Sequence, residues 1–181
     1  MADIPTECRG QVMDNRLVLW LVPIFTTIHN LEEALLMPTL LARRNSSITG
    51  LFQKLIPPIT YKQFLIALVI ITAIPYVIAV CGDLRVKGGI SVYLLLTFQA
   101  MMLVNVLAHG IMAAMMGGYA PGLATALTLN LPFSIYLLKR AGREQWVNRK
   151  ALRLVFVIGG ILHTPGLTVV ILIAGAIVGK V

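Results

Sequence analysis

The sequence predicts an all-α fold, a polytopic transmembrane helical bundle of about five membrane-spanning helices. Three observations carry that reading. Hydrophobic residues make up 58% of the 181 residues and charged residues only 12%, where soluble domains run near about 25% charged. Five stretches are each apolar over a length that crosses a bilayer, about 20 helical residues for about 30 Å of hydrocarbon. No stretch alternates apolar and polar residues in the manner of a half-buried strand.

In chain order, residues 1–16 (MADIPTECRGQVMDNR) are polar and mixed in charge, and form the expected N-terminal cytoplasmic arm. They place no basic stretch ahead of a short apolar core. No cleavable signal peptide is therefore expected, and the first helix serves as its own signal. Residues 17–178 form the expected single transmembrane domain, with spans at 17–41, 63–81, 90–116, 121–138 and 152–178; the fourth is short. Between the first two, NSSITGLFQKLIPPIT sets Leu51, Phe52, Leu55 and Ile56 around Lys54, a pattern that fits an interfacial segment and a partly buried loop equally. Pro23, Pro75, Pro132 and Pro165 fall inside spans one, two, four and five. Each leaves a carbonyl one turn earlier without its donor, which membrane bundles tolerate as a kink beside a cavity.

The formal charge of +8 is spread over short links between apolar segments, so it sets topology and excludes nucleic acid as the partner. The link GGYAPG has no basic residue. The link KRAGREQWVNRKALR has Lys139, Arg140, Arg143, Arg149, Lys150 and Arg153. Placing that link inside together with Arg9, Arg16, Arg85 and Lys87 puts ten of the fifteen basic residues in the cytoplasm and five outside. The expected orientation is N-terminus cytoplasmic and C-terminus outside, in a bacterial-type inner membrane. Cys8 and Cys81 have no CxxC or Cys/His spacing, so neither a disulfide framework nor a thiolate metal site is expected.

Against this apolar background stands TTIHNLEEALLMP, residues 26–38. All three histidines, His29, His109 and His163, fall within expected spans; of seven acidic residues only Glu32 and Glu33 do. Such groups are costly in hydrocarbon and mark functional sites. Spacings of three and four residues put both carboxylates beside the face that carries His29, and put Asn105 on one face with His109. Counting about 1.5 Å per residue from the cytoplasmic ends brings the three histidines to the middle or outer half of the bilayer.

Imidazole and carboxylate are ligands of zinc and non-haem iron. The His/Glu spacing resembles the Glu-x-x-His pairs of di-iron bundles, but those need about four carboxylates, and only two are here. A mononuclear site is expected. His29, His109, His163 and either Glu32 or Glu33 are the candidate metal ligands for a divalent ion, zinc ahead of iron. Glu32, Glu33 and His29 are the catalytic candidates, the spare glutamate acting as base beside a metal-bound water. Asn105, Asn130 and Thr164 are candidates for supporting or substrate-binding roles. The five methionines of the third span are read as packing and cavity lining rather than copper ligands.

The residues HNLEE, with NVLAHG and YAPGLATA downstream, resemble the HXXEE-domain family of small membrane proteins. The resemblance extends from about residue 17 to 178. It implies a polar site at His29, Glu32, Glu33 and His109 and supplies no reaction; His163 is added from this sequence alone.

The expected function is a membrane-embedded metal-dependent enzyme, a hydrolase acting on a lipid or other apolar substrate. One alternative is a metal-free acid–base isomerase or cyclase that uses Glu32 or Glu33 on an isoprenoid-like substrate. Another is a proton or metal-ion transporter, which at five helices would need to form a homo-oligomer. A last alternative is a partner subunit without activity.

Overall fold

The computed structural model describes residues 14–47, 59–84 and 87–179. Among these the regular structure is entirely helical: α1 (Asn15–Ser47), α2 (Tyr61–Cys81), α3 (Ile90–Met116), α4 (Leu123–Thr125), a π-helical turn (Ala126–Asn130), α5 (Leu131–Arg143) and α6 (Arg149–Val178). Because α4, the π turn and α5 follow one another directly, they make one bent rod. Residues 1–13 of the expected 1–16 arm and most of the segment around Lys54 lie outside the described residues, as does Cys8, while Asn15 and Arg16 already belong to α1; Cys81 is a free, exposed thiol.

Three helices, α2, α3 and α6, are long and apolar enough to cross a membrane. At 33 residues α1 is longer still, but His29, Glu32, Glu33, Arg43 and Arg44 dilute its apolar character. The bent rod departs most from the expected 121–138. It starts at Leu123, after Gly122 takes a left-handed φ of 81°, and runs on to Arg143. Pro132 explains the π turn. It has no N–H to offer Thr128, and the chain widens so that the Leu131 N–H bonds to the Ala126 carbonyl, five residues back.

Around the bundle the order is α1, α2, α6, α3, then the bent rod, which returns to α1. Polar pins join most neighbours. Asn30 donates to the Thr72 hydroxyl at 2.7 Å, and Thr27 and Tyr76 pair at 3.1 Å, between α1 and α2. Gln63 on α2 donates to the Ile171 carbonyl of α6 at 3.1 Å. Gln99 on α3 donates to Ser134 on α5 at 2.7 Å. Hydroxyls with no cross-helix partner, such as Thr26 and Thr97, bond back to the carbonyl four residues earlier. Between α3 and α6 the contact is steric. A Cβ on Gly159 would come within 2.8 Å of Ala100 Cβ and 2.9 Å of the Thr97 carbonyl oxygen, the close approach that small residues allow between apolar helices.

The apolar core fills one end of the bundle. Val18, Leu19 and Val22 of α1 meet Val92, Leu95 and Leu96 of α3, Phe133 and Leu137 of α5, and Trp146. The link after α5 closes that end. Arg140 donates to Glu144 at 2.7 Å, and Trp146 donates to its other oxygen at 2.9 Å. The opposite half of α1 and α3 is left for polar residues. On the outside, α6 exposes Leu154, Val157, Ile161 and Leu172.

Two outcomes are expected. Gly159→Leu overpacks the α3–α6 contact and lowers stability by about 1–3 kcal/mol, read from the midpoint of denaturant unfolding in detergent. Gly160→Leu, where an added Cβ has nothing within 4 Å, leaves the midpoint unchanged. Burial pushes the Glu144 carboxyl up, but the hydrogen bonds from Arg140 and Trp146 outweigh it and hold the carboxyl below its ordinary range. A depressed carboxylate contributes stability that is complete above its unfolded value and lost as pH falls through its folded one. Thermal midpoints therefore fall below about pH 5, and fall less steeply in Glu144→Gln.

Candidate functional site

In the half of the bundle opposite the apolar core, α1 presents one histidine and two glutamates, and the 100° step between successive helical residues sends the two glutamates to different partners. Glu32 goes to the start of the bent rod. Its Oε2 accepts from the Thr125 backbone N–H at 2.8 Å and from the Thr125 hydroxyl at 2.5 Å. Its Oε1 accepts from the Ala124 N–H at 3.3 Å and from the Tyr119 hydroxyl. The carboxylate thus caps a helix start from another helix, taking up free N–H groups at the positive end of a helix dipole.

Glu33 turns to the histidines. Its Oε1 lies 3.0 Å from His109 Nε2 and 3.8 Å from His29 Nε2. The two imidazoles meet edge to face with centroids 4.9 Å apart, and both are buried, His29 at 0% exposure and His109 at 4%. The donor atoms of His29, Glu33 and His109 all lie within 4.8 Å of one another. A tetrahedral zinc site with bonds of about 2.0–2.1 Å has ligand atoms about 3.3 Å apart, so the Glu33 distances already bracket that edge.

Thr125 also orients His29. Its hydroxyl gives its proton to Glu32, so its oxygen accepts from His29 Nδ1 at 2.9 Å. This keeps the proton on Nδ1 and leaves the Nε2 lone pair to accept from the Asn105 amide, with Glu33 Oε1 3.8 Å away. A ligand histidine held through its other nitrogen is the usual second support of a metal site. Asn105 lies between the three imidazoles. Its Nδ2 is 2.9 Å from His29 Nε2 and 3.1 Å from His109 Nε2, and its Oδ1 is 3.1 Å from His163 Nε2. His163 therefore reaches the cluster through the amide. His109 Nδ1 is buried with no hydrogen-bond partner.

Of the other sequence candidates, Asn130 is buried in the π turn with its Nδ2 unpartnered and no hydrogen bond to the cluster. Thr164 is exposed on α6, where its carbonyl accepts from Thr168. Sequence reasoning did not single out Thr125, Tyr119 or Gly122. The one signal for them was the quoted YAPGLATA, a Pro-Gly turn opening a helix, since free N–H groups at a helix start attract a carboxylate. Gly122 carries the left-handed turn against the cluster itself. A Cβ there would come within 2.8 Å of Glu33 Cγ and of His109 Cε1, and 3.0 Å of His29 Cε1.

Gly122→Ala is expected to combine backbone strain with overpacking, about 1–3 kcal/mol. The unfolding midpoint falls accordingly while the helix content measured by circular dichroism stays at the level of the unmodified chain.

Residues 20–137 match the model of a family described as a protein of unknown function with HXXEE motif. The match includes His29, Glu32, Glu33, Asn105, His109, Gly122 and Thr125, and ends ahead of His163. An uncharacterized protein, YrkK, of Bacillus subtilis (strain 168) is 34% identical over 107 residues, which is 59% of this chain and 63% of that relative. The chain thus matches under two thirds of the relative's own length. No solved structure matches the chain. Signature, downstream histidine and turn all lie in the matched region and meet in one cluster, and the chain belongs to the HXXEE-motif family.

Proposed function

We propose that this protein is a membrane-embedded, metal-dependent enzyme that hydrolyses a lipid or other apolar substrate. The observation that carries the proposal is the convergence of His29, Glu33 and His109 donor atoms within 4.8 Å. Two neutral imidazoles and one carboxylate form a donor set suited to zinc, with iron second, and three protein ligands leave a position for water. The geometry divides the glutamates. Both oxygens of Glu32 are engaged by Tyr119, Ala124 and Thr125, so Glu32 orients and Glu33 binds the ion. His163, half-buried, donates from Nε2 to the Asn105 amide oxygen, and would hold that amide in place beside the two histidine ligands. The five rods are read as five spans, with the N-terminus in the cytoplasm.

A metal-free reading has its own support. Tyr119, Glu32, Thr125, His29, Asn105 and His163 form one hydrogen-bonded chain, from an exposed hydroxyl on one side of the bundle to the half-buried imidazole of α6. Such a chain suits acid–base chemistry or proton movement without an ion.

Metal content separates the two. Elemental analysis of the purified protein in detergent is expected to give about one zinc or iron per chain. His29→Ala/His109→Ala and Glu33→Gln lose it, while Glu32→Gln retains it at reduced affinity, about 10–100-fold. No metal in the unmodified chain, before or after reloading with zinc or iron, overturns the metal reading in favour of the proton chain.

A further inference from the structure

At the other end of the bundle, α3, α5 and α6 line an open cleft of about 600 Å3. Its two kinds of wall differ sharply. Lys139 and Arg143 from α5 face Arg149 and Arg153 from α6, while Leu103, Ile135 and Phe156 supply the apolar wall. Among the described residues none of the four cations is ion-paired. The nearest acid in sequence, Glu144, has one oxygen on Arg140 and the other on Trp146, so it does not neutralise them. The cleft is also distinct from the His/Glu cluster. Arg153 lies ten residues before His163 on the same helix, about 15 Å along its axis.

Four uncompensated positive charges at one end of an apolar slot match an amphiphile with an anionic head. We propose that this cleft binds an anionic phospholipid, its headgroup phosphate among Lys139, Arg143, Arg149 and Arg153 and its acyl chains along Leu103, Ile135 and Phe156. Guanidinium groups pair with phosphate oxygens through two parallel N–H donors. Basic pockets between membrane helices recognise acidic headgroups in this way. The first turn of α6, which carries Arg149, adds the positive end of its helix dipole to the same field. Bulk attraction of scattered surface charge accounts for neither the cavity nor its apolar wall. The proposal does not depend on a metal at the other site.

The test uses the full chain, delipidated in an uncharged detergent and titrated with dioleoyl phosphatidylglycerol or dioleoyl phosphatidylcholine, with bound lipid counted by native mass spectrometry. Phosphatidylglycerol is expected to bind at least about tenfold more tightly than phosphatidylcholine. Arg149→Gln/Arg153→Gln on one wall and Lys139→Gln/Arg143→Gln on the other each weaken it about tenfold or more. Arg16→Gln/Lys62→Gln removes the same charge elsewhere and leaves the affinity unchanged. All six side chains are exposed, so folding is retained, and circular dichroism checks it. Equal affinity for the two lipids, or equal losses in the cleft and control pairs, overturns the proposal. Displacement of the lipid by inorganic phosphate at equal concentration also overturns it, because the cleft then selects a free anion.

Discussion

Glu32 is a half-buried carboxylate on an apolar helix, and the arrangement of the cluster follows from how its two oxygens are satisfied. Its partners include a set of polar groups that a helix cannot satisfy internally, the free N–H groups at a helix start, here those of Ala124 and Thr125. One contact therefore settles two costs. It also holds the bent rod at a fixed height against α1, which places Gly122 against the imidazoles and Thr125 against His29. Because Glu32 is fully occupied, Glu33 is left to the histidines. Two adjacent residues of one type thus have different roles, decided by a 100° turn of helix.

The helices were legible because membrane-compatible sequence is a strong signal. Runs such as 63–81 and 90–116 coincide with Tyr61–Cys81 and Ile90–Met116 to within two residues, since an apolar run bounded by Thr60 and Gly82, or by Gly89 and Gly117, leaves little freedom. The fourth rod was less legible. Pro132 announces a disturbance, but whether it kinks, breaks or widens the helix depends on packing around Asn130 that a linear pattern does not contain.

The polar cluster was legible in its members and less so in its wiring. Helical spacing placed His29, Glu32 and Glu33 on adjoining faces and paired Asn105 with His109. It did not set the rotation of α1 against α3 and the bent rod, which separates the two glutamates and turns Asn105 into the link to His163. Thr125 was invisible for a further reason. An isolated threonine in a helix more often bonds back to its own backbone, as Thr26, Thr72 and Thr97 do here. Only the approach of a carboxylate from another helix gives it a different task.

The contact between Glu32 and Thr125 joins residues 93 positions apart, and that separation has a consequence in time. The chain is synthesised from its N-terminus, so α1 exists with His29, Glu32 and Glu33 well before the segment that satisfies Glu32 has been made. During that interval the carboxylate must stay hydrated or carry a proton. Completion of the cluster is therefore a late event of assembly, and a chain stopped before residue 125 has a first helix whose Glu32 lacks its Thr125 partner.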